Sequence, residues 1–148
     1  MKLRILPFLM IALMTLTGCQ KTFAQPTGPK DGKLRPCPDK RNCVCTQDPA
    51  EQHRIEPIRY DATPEEAREK LLGVIRHMER STLVQVDPDY IHAEFRSAVF
   101  SFIDDVEFLI DDGAKLIHFR SAARTGYYDF KVNRNRMEEI RKRFMGPG

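Results

Sequence analysis

Residues 104–121, DDVEFLIDDGAKLIHFRS, decide the fold, because they predict a β-hairpin. Alternating apolar residues flank Asp112-Gly113, a dipeptide that is typical of two-residue hairpin turns. On the apolar face, this turn sets three opposed pairs: Ile110 with Lys115, Phe108 with Ile117, and Val106 with Phe119. The other face pairs residues of complementary charge: Glu107 with His118, and Asp105 with Arg120. The stretch therefore predicts two strands with one apolar and one polar face.

A second hairpin is predicted just before the first. The stretch 82–95, TLVQVDPDYIHAEF, turns at Pro88-Asp89. After the turn, three apolar residues alternate with polar ones, so that one face of the strand is apolar and the other is solvated. The apolar residues are Ile91, Ala93 and Phe95, and the polar ones are Tyr90, His92, Glu94 and Arg96.

Two helices flank the predicted strands. Thr63, Pro64 and Glu66 form a capping-box signature, followed by apolar residues at helical spacing from Ala67 to Met78. The last helix, NRNRMEEIRKRFM at 133–145, has Asn133 as its predicted N-cap and an apolar stripe of Met137, Ile140 and Phe144. The predicted fold is an α+β domain: a four-stranded antiparallel sheet of two hairpins, with an N-terminal and a C-terminal helix on its apolar face.

The first 18 residues predict a lipoprotein signal peptide. Lys2 and Arg4 precede an apolar run at 5–16, and 16–19, LTGC, resembles the bacterial lipobox. Proteins with this motif are cleaved before the cysteine, whose thiol and amine are then acylated, so Cys19 is the expected membrane anchor. An Asp directly after the lipidated cysteine favours retention in the inner membrane. The residue at that position is Gln20, so the outer membrane is favoured over the inner. Residues 19–33 predict a flexible tether, and residues 34–146 a single domain.

The charge of the mature chain is nearly balanced. The full sequence has 24 Lys and Arg against 21 Asp and Glu, and removal of Lys2 and Arg4 with the signal peptide leaves 22 against 21. No basic stripe interleaved with aromatic residues is present, so nucleic acid is not a predicted partner.

Three cysteines follow the tether, at Cys37, Cys43 and Cys45. An exported protein meets an oxidising compartment, where disulfides are expected. A Cys37–Cys43 bridge closes a small loop through good turn residues, Cys37–Cys45 is feasible, and Cys43–Cys45 is strained. The C-x5-C-x-C spacing differs from the paired C-x2-C of zinc modules, so neither a metal nor another cofactor is predicted.

The arginine-rich stretch 119–134, FRSAARTGYYDFKVNR, carries the candidate site. The candidate site comprises three residues of this stretch, Arg136 just after it, and the two acidic residues that begin the hairpin: Asp104, Asp105, Arg120, Arg124, Asn133 and Arg136. One interpretation is a structural polar network, with Asp104 bound by loop backbone or Arg124, and Asp105 bound by Arg120. Another is an anion pocket where the three arginines converge at the start of the last helix.

A third interpretation is catalysis based on His118, His92 or Glu94. No nucleophile motif, zinc-protease motif or phosphate loop supports it, so no catalytic residue is assigned. The sequence favours a non-catalytic envelope lipoprotein that binds an envelope protein or a small molecule. The alternatives are a small envelope hydrolase or a binder of an anionic small molecule, using the polar sheet face and the arginine-rich loop.

Three long stretches of the chain are distinctive: CPDKRNCV, YIHAEFRSAVFSFIDDVEFLI and FRSAARTGYYDFKVNRNRMEEIR. In these stretches the chain resembles the domain of unknown function 1499 family of small bacterial and plant-plastid proteins. The resemblance runs from about residue 34 to 144. It implies that Cys37 pairs with Cys43, which leaves Cys45 as the odd thiol. The family has no established activity, so the resemblance implies the fold and not the function.

Overall fold

The computed structural model describes residues 27–146, which form an α+β domain with two helices and a six-stranded antiparallel sheet. The strands are β1 (Cys43–Cys45), β2 (Ile58–Arg59), β3 (Ser81–Val86), β4 (Tyr90–Arg96), β5 (Ile103–Asp111) and β6 (Leu116–Ala123). The helices are α1 (Pro64–Arg76) and α2 (Val132–Met145), with a short 3-10 helix at Glu51–His53. The predicted signal peptide, the lipidation site at Cys19 and tether residues 20–26 lie outside the described residues.

The sheet has two more strands than the four that the sequence predicts. Its order is β1-β6-β5-β4-β3, and β2 also pairs with β6. Strands β1 and β2 have only three and two residues. A strand this short shows no alternating pattern, so its pairing depends on tertiary contacts with β6 that the local sequence does not reveal.

The turn between β5 and β6 differs from the predicted two-residue turn. Ile110 lies opposite Ile117 and Glu107 lies opposite Arg120, a register two residues away from the predicted one. The turn spans residues 112–115, and Lys115 rather than Gly113 has a positive φ, of 55°. Asp111 accepts a hydrogen bond from the Ala114 N–H, which stabilises this wider turn. A two-residue shift preserves the two faces of each strand, but the predicted pairs Glu107–His118 and Asp105–Arg120 are wrong.

The start of α1 is as predicted, and the start of α2 is not. Thr63 and Glu66 exchange the two hydrogen bonds of a capping box. Helix α2 begins one residue before Asn133, so Asn133 is not its N-cap and is instead a buried residue of the first turn. The carboxylate of Asp129 accepts a hydrogen bond from the Asn133 N–H, at 2.9 Å. A loop carboxylate therefore performs the capping that the sequence assigned to Asn133.

Both helices pack on one face of the sheet, as predicted. The main hydrophobic core joins apolar residues of α1 and α2 to those of the four longer strands. Phe108 and Phe119 lie at its centre, fully buried, with ring centroids 6.5 Å apart. Aromatic residues of this size contribute much of the apolar area that such a core buries.

The opposite face of the sheet, predicted to be solvated, is largely buried. Tyr90 and His92 are only 4% and 6% exposed. Leu34 packs with Cys45, Tyr90 and Leu109 in a second hydrophobic cluster on this face. The Gly28 N–H donates to Glu107 of β5, at 2.7 Å. We name residues 28–38 the covering segment, because this part of the chain lies over the polar face and excludes solvent from it.

The Cys37–Cys43 disulfide joins the covering segment to β1. This confirms the pairing that the family resemblance implies. Cys45 is a free thiol and is fully buried. Burial raises the pKa of Cys45 to about 11, so the thiol stays protonated and unreactive at neutral pH.

The double variant Cys37→Ala/Cys43→Ala is expected to lose about 2 kcal/mol of unfolding free energy, because a short closed loop restricts the unfolded chain. Urea denaturation under oxidising conditions measures this difference. The parent protein under reducing conditions is the control and should approach the midpoint of the variant. Equal midpoints for the oxidised parent and the variant would contradict the prediction.

Candidate functional site

The three predicted arginines do not converge in one pocket, because each is bound by a different carboxylate. Arg120 donates to Glu107 at 3.0 Å, and Arg136 donates to Asp104 at 2.6 Å. Arg124 binds Asp105 through two nitrogens, at 2.7 and 2.8 Å. The predicted partners of Asp104 and Asp105 are therefore wrong, although the site residues do belong to polar networks.

The first network lies between the sheet and α2. Arg136 binds Asp104 and also donates to Asn133 Oδ1 at 2.8 Å and to Ser121 Oγ at 3.2 Å. Asn133 in turn donates to Asp129 and to the Asn42 carbonyl. Burial raises the pKa of Asp104, and Arg136 opposes this effect. The network fixes the start of α2 against β5 and β6.

The second network lies on the other face and contains Asp105, which is fully buried. Asp105 accepts from Arg124 and from His92 Nε2, the latter at 2.8 Å. Burial alone would raise the pKa of Asp105, but the hydrogen bonds from Arg124 and His92 outweigh it and lower the pKa to about 2. Because the ionised carboxylate only accepts, His92 Nε2 carries the proton. Arg124 also donates to Glu94, at 2.5 Å.

Glu107 and Arg120 form a buried pair at the centre of the sheet. Glu107 is fully buried and accepts from three donors: the Gly28 N–H, the Tyr90 hydroxyl and Arg120 Nη1. Arg120 is 2% exposed, and its Nε has no acceptor among residues 27–146. The guanidinium of Arg120 therefore keeps unused donor capacity at a buried position.

A cavity of about 560 Å³ lies between the covering segment and the residues that follow β1, and Arg120 lines it. We name it the Arg120 cavity. Its lining contains four cationic side chains, one acidic side chain, and apolar or neutral ones. The cations are Lys30, Lys33, Arg35 and Arg120, the acid is Asp31, and the others are Leu34, Pro36, Cys37, Pro38, Gln47 and Pro49. Of the six predicted site residues, only Arg120 lines this cavity.

A second basic cavity, of about 310 Å³, lies beside the start of α2 and includes Arg41, Lys131 and Arg134. His53, also in its lining, is 4% exposed. Its Nδ1 lies 3.1 Å from the Cys43 carbonyl, to which it can only donate, so Nε2 accepts from Gln52. Both ring nitrogens are thus occupied, and the imidazole has no nitrogen left for a ligand.

Two further features concern metals and membranes. Within residues 27–146, no three His, Cys, Asp or Glu side chains are grouped so that they could hold a metal ion. Within the same range, neither α1 nor α2 is long and apolar enough to cross a bilayer.

The fold and these networks define a small disulfide-bonded α+β domain whose sheet is covered on both faces. The chain belongs to the family described as protein of unknown function (DUF1499), whose model matches residues 33–144. This match confirms the family resemblance seen in the sequence and covers nearly the same span. A comparison with curated proteins gave no match.

Sequence reasoning missed Glu107 and Tyr90 as members of the polar network. The correct hairpin register would have found Glu107, because that register places it opposite Arg120. His92 and Glu94 were considered as catalytic residues, but the structure binds them to Asp105 and Arg124. Acidic and imidazole side chains recur on one face of β4 and β5, and arginines are present in β6 and in the loop after it. This combination is the sequence signal for these contacts.

Proposed function

We propose that the protein is a non-catalytic binding or accessory module, held on the periplasmic side of the bacterial envelope by lipid on Cys19. The observation that supports the non-catalytic part is the state of the candidate acids and bases. Arg124 donates to both Glu94 and Asp105, and His92 donates to Asp105, so the three groups belong to a single network centred on Arg124. A general base needs a lone pair directed at a substrate, but the carboxylates of Asp105 and Glu94 accept from Arg124 within the fold, and the His92 ring, which donates through Nε2, is only 6% exposed.

The hydrolase alternative has one arrangement in its favour. Thr46 Oγ lies 3.2 Å from His118 Nδ1, and His118 Nε2 lies 4.0 Å from Asp111. The second distance is too long for a hydrogen bond, so Asp111 does not hold the imidazole as a catalytic carboxylate does. Neither Thr46 nor His118 lines either of the two basic cavities. We therefore favour binding over hydrolysis.

The anchoring part of the proposal is based on the signal peptide and the lipobox, which lie outside the described residues. Several acyl chains on one residue give durable membrane binding. Gly28, which contacts Glu107, is nine residues after Cys19, a separation of at most about 30 Å in an extended chain. An anchor on Cys19 would thus keep the domain close to the bilayer, with the outer membrane favoured by Gln20.

Cys19→Ala is expected to move the protein from the membrane fraction to soluble or unprocessed forms, because the thiol that accepts the lipid is lost. Membrane fractionation and labelling with a radioactive fatty acid measure the change. Cys45→Ala is the matched control, since it removes a thiol that is buried in the domain, and it should remain acylated and membrane-bound. Acyl labelling and membrane binding that persist in Cys19→Ala would refute the anchoring proposal.

A further inference from the structure

We propose that the Arg120 cavity binds a phosphate ester, held by the unpaired edge of Arg120 and by the cations around the opening. The proposal names the ligand class for the binding function proposed above. The cavity itself consists of described residues and does not depend on the lipid anchor.

The first argument is the unused edge of a buried guanidinium. Arg124 binds Asp105 side-on, with Nε and Nη2 donating to the two carboxylate oxygens. Arg120 instead binds Glu107 through Nη1, and its Nε finds no acceptor among the described residues. A side-on pair of this kind suits the oxygens of a carboxylate or phosphate. Arg120 lines the cavity, and its Nε is a buried donor without an acceptor among residues 27–146, which an oxyanion in the cavity reaches once the side chain shifts.

The second argument is the charge of the lining. Four cationic side chains face one acidic side chain, Asp31. Glu107, the partner of Arg120, is already bound by three donors and is not available to neutralise the others. Arg35 Nε is also buried without an acceptor in residues 27–146, as are the Nε atoms of Arg68 and Arg141 outside the cavity, so the cavity is distinguished by its charge and not by these atoms alone. This excess positive charge favours a dianion such as a phosphate monoester over a carboxylate with a single charge.

The third argument is the size and composition of the cavity. Its volume of about 560 Å³ falls in the usual range of small-molecule sites, which is about 300–1,000 Å³. Pro36, Pro38, Pro49 and Cys37 give it apolar walls beside the cations. Apolar walls with a few charged groups suit an organic ester rather than a bare inorganic ion.

The phosphate ester has two conceivable sources, a soluble metabolite and a phospholipid headgroup. Lys30, which lines the cavity, is eleven residues after Cys19. This inference rests on the proposed function: with Cys19 lipidated, the cavity lies within reach of the membrane surface. Both sources present phosphate oxygens to Arg120, but the soluble monoester carries up to two charges and the headgroup diester carries one, so the experiment has one arm for each.

The test uses the full protein as it is purified, in a non-ionic detergent, with inorganic phosphate and glycerol 3-phosphate as probes. Thermal unfolding at constant ionic strength should show a higher Tm with either probe than with chloride. Isothermal titration gives the dissociation constants. Arg120→Lys keeps a cation for Glu107 but has no Nε, so its affinity for the probes should fall by about tenfold or more.

Matched charge variants separate a site from general attraction. Lys33→Gln removes an exposed cation of the cavity, and Lys142→Gln removes an exposed cation of α2. Lys33→Gln should weaken binding severalfold, and Lys142→Gln should bind as the parent does. If Arg120→Lys does not fold, Arg35→Gln takes its place. A parent that phosphate stabilises no more than chloride, or equal weakening by Lys33→Gln and Lys142→Gln, would overturn the proposal.

The second arm identifies the source of the phosphate. The protein is reconstituted in vesicles of phosphatidylcholine alone or with phosphatidylglycerol, and protection of the covering segment from proteolysis is measured. Protection that depends on phosphatidylglycerol and on Lys33 assigns a lipid headgroup. Equal protection in both vesicles excludes the anionic headgroup, and binding of glycerol 3-phosphate in the titration then assigns a soluble ester. Because the detergent titration needs no membrane and the Cys19→Ala fractionation needs no phosphate, either proposal can fail without the other.

Discussion

Arg120→Ala is expected to lower the free energy of unfolding by about 3–5 kcal/mol, the largest stability effect among the substitutions considered for this protein. Glu107 is fully buried, and Arg120 Nη1 is its cationic partner at 3.0 Å. Removal of the guanidinium leaves a negative charge at the centre of the sheet with only two neutral donors, the Gly28 N–H and the Tyr90 hydroxyl. Urea denaturation at neutral pH measures the loss.

Two further variants test the cause of this loss. Glu107→Gln in the Arg120→Ala background keeps an oxygen for Gly28 and Tyr90 but removes the charge, so the double variant should be more stable than Arg120→Ala. Arg143→Ala breaks an ion pair with Glu139 in which both side chains are over 40% exposed, and should cost less than about 1 kcal/mol. If Arg120→Ala were no more costly than Arg143→Ala, the buried pair would not stabilise the fold.

Arg124→Ala is expected to cost about 3 kcal/mol, because it removes a bidentate partner from the fully buried Asp105. Asp105→Asn should restore part of this stability, since the amide carries no charge. Asp104→Asn should not restore it, because Asp104 is bound by Arg136. Rescue by Asp104→Asn instead of Asp105→Asn would show that the pairing differs from the one described.

The hydrogen bonds to Asp105 make the loss of stability in Arg124→Ala dependent on pH. The pKa of Asp105 falls from 3.8 to about 2 on folding, since the hydrogen bonds from Arg124 and His92 outweigh burial. A lowered folded-state pKa contributes stability above about pH 4, and this contribution is lost as the pH falls from 3.8 towards 2. The stability difference between the parent and Arg124→Ala should therefore shrink over that pH range. A difference that stays constant down to pH 2 would contradict the role given to Asp105.

The local signals in the sequence predict both helices and the two faces of the long strands correctly, but not the start of α2. Thr63, Pro64 and Glu66 carry a complete capping box, which depends on nearby residues alone. The single polar network predicted for Asp104 and Asp105 is two networks in the structure, because neighbours on a strand point to opposite sides. These features need no information from distant parts of the chain.

The covered polar face could not be predicted in the same way. The covering segment has no helical or strand periodicity, so nothing in its sequence shows that it packs on the sheet. The prediction of the hairpin register was wrong for a related reason. The turn signal of Asp112-Gly113 competes with two hydrogen bonds, one between Asp111 and Ala114 and one between Tyr60 and Asp112. Tyr60 is 52 residues away from Asp112 in the chain, beyond the reach of any local pattern.

The disulfide also determines how the domain bears a mechanical load. Force applied to the amino-terminal end of the chain acts first on the hydrogen bond between Gly28 and Glu107. When that bond breaks, the covering segment can peel away from the sheet. Peeling stops at Cys37, because its bond to Cys43 transfers the tension to β1. There the tension is shared by the hydrogen bonds that join β1 to β6. The cross-link thus acts as a stop that allows a short extension of the amino-terminal end before the sheet itself is strained.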